Sequence, residues 1–114
     1  MPLRVLLVED SEDDALLLLR ELGRGGYQTE HERVETAAAM QEVLASTSCD
    51  VIFSDYRMPH FSAMQALEMA QQIETEAPFI VVSGRIGEDV AVGVLKAGAY
   101  DYVMKTISRG CTRR

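Results

Sequence analysis

Residues 3–10 read LRVLLVED, an almost unbroken apolar run that ends in two carboxylates, Glu9 and Asp10. Such a run is typical of a strand that is covered on both faces of a parallel sheet. Three further apolar segments end at or beside a polar side chain: Val51–Ser54 before Asp55, Phe79–Val82 before Ser83, and Tyr100–Met104 before Lys105. Ligands of open α/β sheets bind outside the carboxyl ends of the strands. The sequence therefore predicts a binding site at one edge of such a sheet.

Helical segments separate these strands along the chain. Ser11 and Thr36 are expected to cap the first two helices, and the leucines of the first helix lie on most of its faces, which predicts that it is largely buried. A polar edge strand is expected at Gln28–Val34. The predicted helices span Ala15–Leu22, Ala37–Ala45, Ala63–Ile73 and Glu88–Ala97. Strands that alternate with helices in this way predict a doubly wound parallel sheet, an α/β fold.

The composition describes one small acidic domain. Of its 114 residues 47% are hydrophobic, which is enough for a single core. The net charge of −7 argues against a nucleic-acid surface, and no stretch is apolar for long enough to span a membrane. Cys49 and Cys111 lack the spacing of metal ligands, and no secretory signal is visible. We therefore expect a cytoplasmic protein with reduced thiols.

The polar residues at the carboxyl ends of the predicted strands also suggest which reaction the site supports. Parallel strands would bring Glu9, Asp10 and Asp55 together, and a hard divalent cation, best Mg²⁺, would offset the repulsion among their carboxylates. The hydroxyl of Ser83 and the ammonium of Lys105 are groups that contact phosphoryl oxygens. A carboxylate nucleophile beside a metal and a cation suits transfer of a phosphoryl group to Asp55.

Short motifs surround these strand ends: the acidic pair, YRMP after Asp55, VSG at 82–84, KAGA at 96–99 and DYVMK at 101–105. Together they resemble the receiver domain of two-component response regulators, especially receivers of multidomain sensor-kinase proteins. The resemblance implies a flavodoxin-like five-stranded sheet of order 2-1-3-4-5 with helices on both faces. Residues 1–107 would form the receiver domain, and residues 108–114 a polar tail.

The resemblance also implies a metal site and a phosphoacceptor. Asp55 would accept the phosphoryl group from a histidine kinase or a phosphotransfer protein in a phosphorelay. Asp10, Asp55 and the backbone carbonyl of Arg57 would bind Mg²⁺, while Glu9 would reach the ion through a water molecule.

Further residues take roles in switching by the same resemblance. Ser83 and Lys105 would contact the phosphoryl group, and Tyr102 would turn inward in the active state. Phosphorylation would then shift a two-state equilibrium of the loop and helix after Ser83 and of the strand-five surface. Arg57 and Arg85 would modulate dephosphorylation. The chain is thus expected to be a signalling module with its own phosphotransfer and autodephosphorylation chemistry, not a metabolic enzyme.

Two alternatives to this function stay open. One is a magnesium-dependent phosphohydrolase with an aspartyl nucleophile. The other is a receiver that binds its partners without being phosphorylated.

The chain departs from the family pattern at three places. Thr106 follows Lys105 where a proline joined by a cis bond is usual, and because a cis bond to a non-proline residue costs about 2.5–4 kcal/mol, the bond here could be trans. Ala63 stands where glycine is common, and we expect the loop before it to open directly into a helix. Only nine residues follow Lys105, so the fifth helix is expected to be short or missing. We therefore expect a fragment of a longer protein with an output domain, or a chain that self-associates as a homodimer.

Overall fold

The computed structural model describes residues 2–56, 58, 61–73, 76–83 and 88–104. Strands and helices alternate along these residues in the order that the sequence pattern predicts. The elements are β1 (Leu3–Val8), α1 (Glu12–Arg24), β2 (Thr29–Val34), α2 (Ala37–Ser46), β3 (Val51–Asp55), α3 (Ala63–Ile73), β4 (Phe79–Ser83), α4 (Glu88–Lys96) and β5 (Asp101–Met104).

All the strand pairs of the sheet are parallel, and the strand order is β2-β1-β3-β4-β5, which confirms the predicted fold. Strand β2 lies on one side of β1, and β3, β4 and β5 follow one another on the other side. The point where the strand order reverses lies between β1 and β3. Val8 of β1 lies opposite Ser54 of β3, and Asp55 lies opposite Val82 of β4. The carboxyl ends of the central strands therefore meet at one edge, where doubly wound sheets bind ligands.

Local sequence signals account for the starts of the first two helices. The Ser11 hydroxyl accepts a hydrogen bond from the Asp14 N–H at 3.2 Å, and the Thr36 hydroxyl accepts one from the Ala39 N–H at 3.1 Å, so both predicted caps are confirmed. Strands β3 and β4 each run one residue further than predicted, and so include Asp55 and Ser83. These two polar side chains are thus held by the sheet itself.

The start of α3 explains how alanine replaces the usual glycine. The Ser62 hydroxyl accepts a hydrogen bond from the Gln65 N–H at 3.1 Å, and the Gln65 side chain accepts one from the Ser62 N–H at 2.9 Å. This reciprocal pair is a capping box, which satisfies two backbone donors at the helix start. Ala63 is the first residue of α3 and is buried, so the loop opens directly into the helix as expected.

The core has two parts, one on each face of the sheet. The larger part joins Leu6, Val8, Ile52 and Val81 to buried side chains of α2, α3 and α4. On the other face, Val5, Leu7 and Val51 pack against Ala15 of α1, and Phe53 and Ile80 are only partly buried there. Helices α2 to α4 thus lie on one face and α1 on the other.

The expectation that α1 is largely buried is wrong. Ala15 is the only residue of this helix that is fully buried, whereas Leu16 and Leu17 are exposed. Leu18, Leu19 and Leu22 pack against the smaller core cluster. A helix that lies on a sheet presents one apolar stripe to it, so leucines outside that stripe stay in solvent.

Some expectations concern residues outside the described part of the chain. They are the short or missing fifth helix, the trans bond between Lys105 and Thr106, and the polar tail 108–114. Within the described residues, no helix combines the length and the apolar character that crossing a bilayer requires.

Candidate functional site

The carboxyl end of β1 holds the first two acids of the site. Glu9 is 7% exposed and its N–H donates to the Val34 carbonyl at 2.9 Å, which extends the pairing of β1 with β2 by one residue. The Glu9 carboxylate accepts a hydrogen bond from the Ser11 N–H at 3.2 Å, at the start of α1. Asp10 follows and is exposed. One acid of the pair is therefore fixed within the fold, while the other faces solvent.

The carboxyl ends of β3 and β4 hold the other two described groups. Asp55 is the last residue of β3 and is 8% exposed, and Ser83 is the last residue of β4 and is 1% exposed. The Tyr56 N–H donates to the Val82 carbonyl at 3.0 Å, so the backbone on both sides of Asp55 is paired with β4. The Ser54 hydroxyl donates to the Asp55 carbonyl at 3.2 Å. Asp55 is thus held in a rigid, largely dry position.

The structure brings the three acids together as predicted. One carboxylate oxygen from each of Glu9, Asp10 and Asp55 lies within 4.8 Å of the other two. At an effective dielectric near 20, two unit charges at such a distance repel by about 3 kcal/mol, and by less where one is exposed. An all-oxygen donor set of this kind is what hard divalent cations such as Mg²⁺ prefer. The donor chemistry of the cluster therefore fits the predicted metal.

Tyr102 of β5 lies opposite Val81 and packs against the larger core cluster. Its hydroxyl is buried and has no hydrogen-bond partner in the described part of the chain. The sequence resemblance implies an inward-facing Tyr102 in the active state, and the ring is directed into the protein here. In this position the hydroxyl loses the hydrogen bond that it makes to water in the unfolded chain, which is unfavourable.

We expect Tyr102→Phe to raise the free energy of unfolding by about 1 kcal/mol, because it keeps the ring and removes a buried hydroxyl that no described residue satisfies. Urea unfolding followed by circular dichroism measures this change as a higher midpoint with an unchanged slope. Tyr100→Phe is the matched control, since Tyr100 is 72% exposed and its hydroxyl is expected to stay hydrated. A loss of stability in Tyr102→Phe would contradict the prediction and indicate that the hydroxyl is bonded in solution.

The remaining predicted site residues are Lys105, Arg57 and Arg85. All three lie outside the described residues, so the predicted contacts of the Lys105 ammonium and of the Arg57 carbonyl stay predictions. The same applies to the proposed effect of the two arginines on dephosphorylation.

The sequence pattern does not single out Arg33, which the structure brings to the site. One terminal guanidinium nitrogen of Arg33 donates to the Glu9 carbonyl at 3.1 Å and also contacts the Glu35 carboxylate at 3.3 Å. The only hint in the sequence is its position, one residue before the end of a predicted edge strand. Which residue of β1 it reaches depends on the strand register, which sequence alone does not supply.

A cavity of about 330 Å³ lies away from the acids, between the segment after α2 and the segment before β4. Cys49 lines this cavity, and burial raises the pKa of its thiol, with the carboxylate of Asp50 adding to the rise. A thiol that is harder to deprotonate is a weaker nucleophile at neutral pH. The cavity therefore offers little chemistry, and the acidic edge is the better candidate site.

Comparison with known proteins shows which family the chain resembles. Residues 5–111 match the family model of the response regulator receiver domain. The response regulator protein PilR of Pseudomonas aeruginosa is 31% identical over 110 residues, which cover 96% of this chain and 24% of PilR. The chain therefore spans about a quarter of that relative's length.

Shorter relatives match over most of their own length. The chemotaxis protein CheY of Thermotoga maritima is 26% identical over 102 residues, which cover 90% of this chain and 84% of CheY. The solution structure of the beryllofluoride-activated NtrC4 receiver domain dimer superposes with a TM-score of 0.76 at 26% identity, covering 91% of this chain and 84% of that one. Given the family match over nearly all of its length, the chain belongs to the response regulator receiver domain family.

Proposed function

We propose that this receiver domain accepts a phosphoryl group on Asp55 from the phosphohistidine of a histidine kinase or phosphotransfer protein, in a reaction that requires Mg²⁺. The observation that carries the proposal is the convergence of Glu9, Asp10 and Asp55 within 4.8 Å at the carboxyl edge of the sheet. Membership of the receiver family supports it independently.

In this proposal Asp10 and Asp55 hold the ion directly. Glu9 already accepts a hydrogen bond from the Ser11 N–H, so its role fits contact through a water molecule. The backbone carbonyl of Arg57 is a further proposed ligand, on the basis of the family resemblance. When bound, Mg²⁺ offsets the negative charge of the acids and of the phosphoryl oxygens.

The proposed reaction is an in-line displacement at phosphorus. A carboxylate oxygen of Asp55 forms the new P–O bond, and the P–N bond to the donor histidine breaks. The bonding electron pair stays on the imidazole nitrogen, which takes up a proton. The burial of Asp55 supports this role, because a desolvated carboxylate is a stronger nucleophile than a hydrated one.

Ser83 and Lys105 are the proposed contacts of the phosphoryl group. Ser83 is buried at the end of β4, the strand next to Asp55, which suits a hydroxyl that moves toward the new phosphoryl oxygens. The aspartyl phosphate would thereby shift the equilibrium of the segment after Ser83, with Tyr102 following in the adjacent strand. Arg57 and Arg85 are proposed to set the rate at which the acyl phosphate is hydrolysed.

The output of this switch is proposed to lie outside these 114 residues. The chain matches only about a quarter of PilR, and the NtrC4 receiver domain is a dimer in its activated form. We therefore propose an attached output domain or a partner protein, together with self-association on phosphorylation. The domain itself is proposed to be a signalling module and not a metabolic enzyme.

The direct test is to treat the chain with a small phosphodonor such as acetyl phosphate and Mg²⁺, and to measure the intact mass. We expect one phosphoryl group on the wild type and none on Asp55→Ala or in the presence of a chelator. Asp50→Ala is the matched control, because Asp50 lies just before β3, at the opposite end of the strand from Asp55.

Three outcomes would contradict the proposal. If Asp55→Ala is modified as fully as the wild type, the acceptor is another residue. If the wild type stays unmodified, a receiver that acts without phosphorylation is favoured. Continuous turnover of a simple phosphate ester would instead favour the phosphohydrolase.

A further inference from the structure

Arg33 lies beside the acidic site although it belongs to the edge strand β2. Its guanidinium donates to the carbonyl of Glu9 at 3.1 Å. That carbonyl belongs to the peptide group that joins Glu9 to Asp10, the two acids contributed by β1. A change in ψ of Glu9 alone or in φ of Asp10 alone, the two dihedral angles beside this peptide group, would turn one acid relative to the other.

The edge strand holds this peptide region from two sides. The Glu9 N–H donates to the Val34 carbonyl at 2.9 Å, and the next carbonyl along the chain, that of Glu9, accepts from Arg33. The backbone pairing ends at this point, because the chain turns into α1 through Ser11. The side chain of Arg33 therefore replaces a sheet hydrogen bond at the residue where the acids leave β1.

The charge of Arg33 strengthens its hydrogen bond to the Glu9 carbonyl. Hydrogen bonds from a guanidinium are shorter and stronger than those between neutral groups. The Arg33 side chain is 29% exposed, and its other recorded partner is the Glu35 carboxylate. A partly buried cation next to the Glu9–Asp10 peptide group lowers the electrostatic cost of keeping three carboxylates within 4.8 Å when no ion is bound. This charge effect by itself opposes Mg²⁺, so a gain in Mg²⁺ affinity has to come from the orientation of the peptide group.

We propose that Arg33 is a positioning residue for the metal site, which orients the Glu9–Asp10 peptide group so that both carboxylates face Asp55. This inference rests on the proposed function, because it concerns the affinity of the same site for Mg²⁺. Groups that hold metal ligands in place typically affect metal affinity by about 10- to 100-fold. Arg33 is not itself expected to contact the ion or the phosphoryl group.

The test is calorimetric titration of the purified chain with Mg²⁺, without a phosphodonor. We expect Arg33→Gln to raise the dissociation constant of Mg²⁺ by about tenfold, and Arg33→Lys to raise it less because the lysine ammonium is still a hydrogen-bond donor to the Glu9 carbonyl. In the phosphorylation assay, the Mg²⁺ concentration for half-maximal modification should rise, while the rate at saturating Mg²⁺ changes little. A merely structural role would not raise the half-maximal Mg²⁺ concentration while leaving the rate at saturating Mg²⁺ unchanged.

Two variants separate positioning from bulk charge. Arg24→Gln makes the same charge change at the far end of α1, about 18 Å from its start, and a screened charge at that distance should leave Mg²⁺ affinity unchanged. Glu35→Gln removes the other partner of Arg33 and should also leave the affinity unchanged. Urea unfolding in a chelator checks that each variant is folded.

The outcomes distinguish this inference from the proposed function. Wild type that binds Mg²⁺ and is phosphorylated, with Arg33→Gln binding equally well, overturns the inference alone. Equal changes of Mg²⁺ affinity in Arg33→Gln and Arg24→Gln also overturn it, since the effect is then not specific to the contact of Arg33 with Glu9. A wild type that binds no Mg²⁺ overturns both proposals.

Discussion

Asp10→Asn is expected to be more stable than the wild type without Mg²⁺ and less stable than the wild type with Mg²⁺. In a chelator, the variant should be more stable by about 1 kcal/mol, because one of three mutually repelling carboxylates is gone. At a Mg²⁺ concentration 100 times the dissociation constant, the wild type should gain about 2.7 kcal/mol by mass action. The variant should gain little, since it lacks an exposed carboxylate of the cluster.

Urea unfolding with and without Mg²⁺ measures both halves of this prediction. Asp13→Asn is the matched control, because Asp13 is an exposed acid in the first turn of α1 that does not belong to the cluster. It should respond to Mg²⁺ as the wild type does, apart from a small constant loss from the helix N-terminus. Equal Mg²⁺ responses in Asp10→Asn and the wild type would place the ion elsewhere.

Leu6→Ala is expected to lower the free energy of unfolding by about 2–5 kcal/mol. Leu6 is 1% exposed in β1, which is paired on both sides, and belongs to the larger core cluster. Truncation removes buried apolar contacts and leaves a cavity that a paired strand is poorly able to fill by moving. Since small domains are stable by only about 5–15 kcal/mol, the midpoint of urea unfolding should fall markedly.

Leu16→Ala is the same chemical change on the exposed side of α1. Leu16 is 51% exposed, so its truncation should alter stability by no more than about 0.5 kcal/mol. The pair also tests whether the outer side of α1 is exposed to solvent. A loss in Leu16→Ala as large as that in Leu6→Ala would mean that α1 is covered in solution on its outer side.

Local signals were sufficient for much of the fold and of the candidate site. Apolar runs and caps predicted the strands and helices to within a few residues, because strand and helix periodicity and capping are short-range properties. The convergence of Glu9, Asp10 and Asp55 also followed, because parallel strands place their carboxyl ends at one edge. The capping box of Ser62 and Gln65 depends on the same kind of short-range signal.

Other features depended on contacts between segments that are distant along the chain. Leucines cover most of α1, and only its docking on the sheet decides that Leu16 and Leu17 face solvent. The register of β2 against β1 decides that Arg33 reaches the carbonyl of Glu9. The packing of β5 decides that the Tyr102 hydroxyl is buried and has no hydrogen-bond partner among the residues that the structure describes.

The amino-acid sequence by itself therefore determined the alternating parallel fold and the edge at which its acids meet, since both follow from local pattern and strand direction. Only the tertiary structure decided which side chains contact the backbone beside those acids and which apolar residues stay exposed. The physical reason is that register, helix docking and side-chain direction are set by the packing of the whole domain, where one residue of slip or a partial turn of a helix changes every contact.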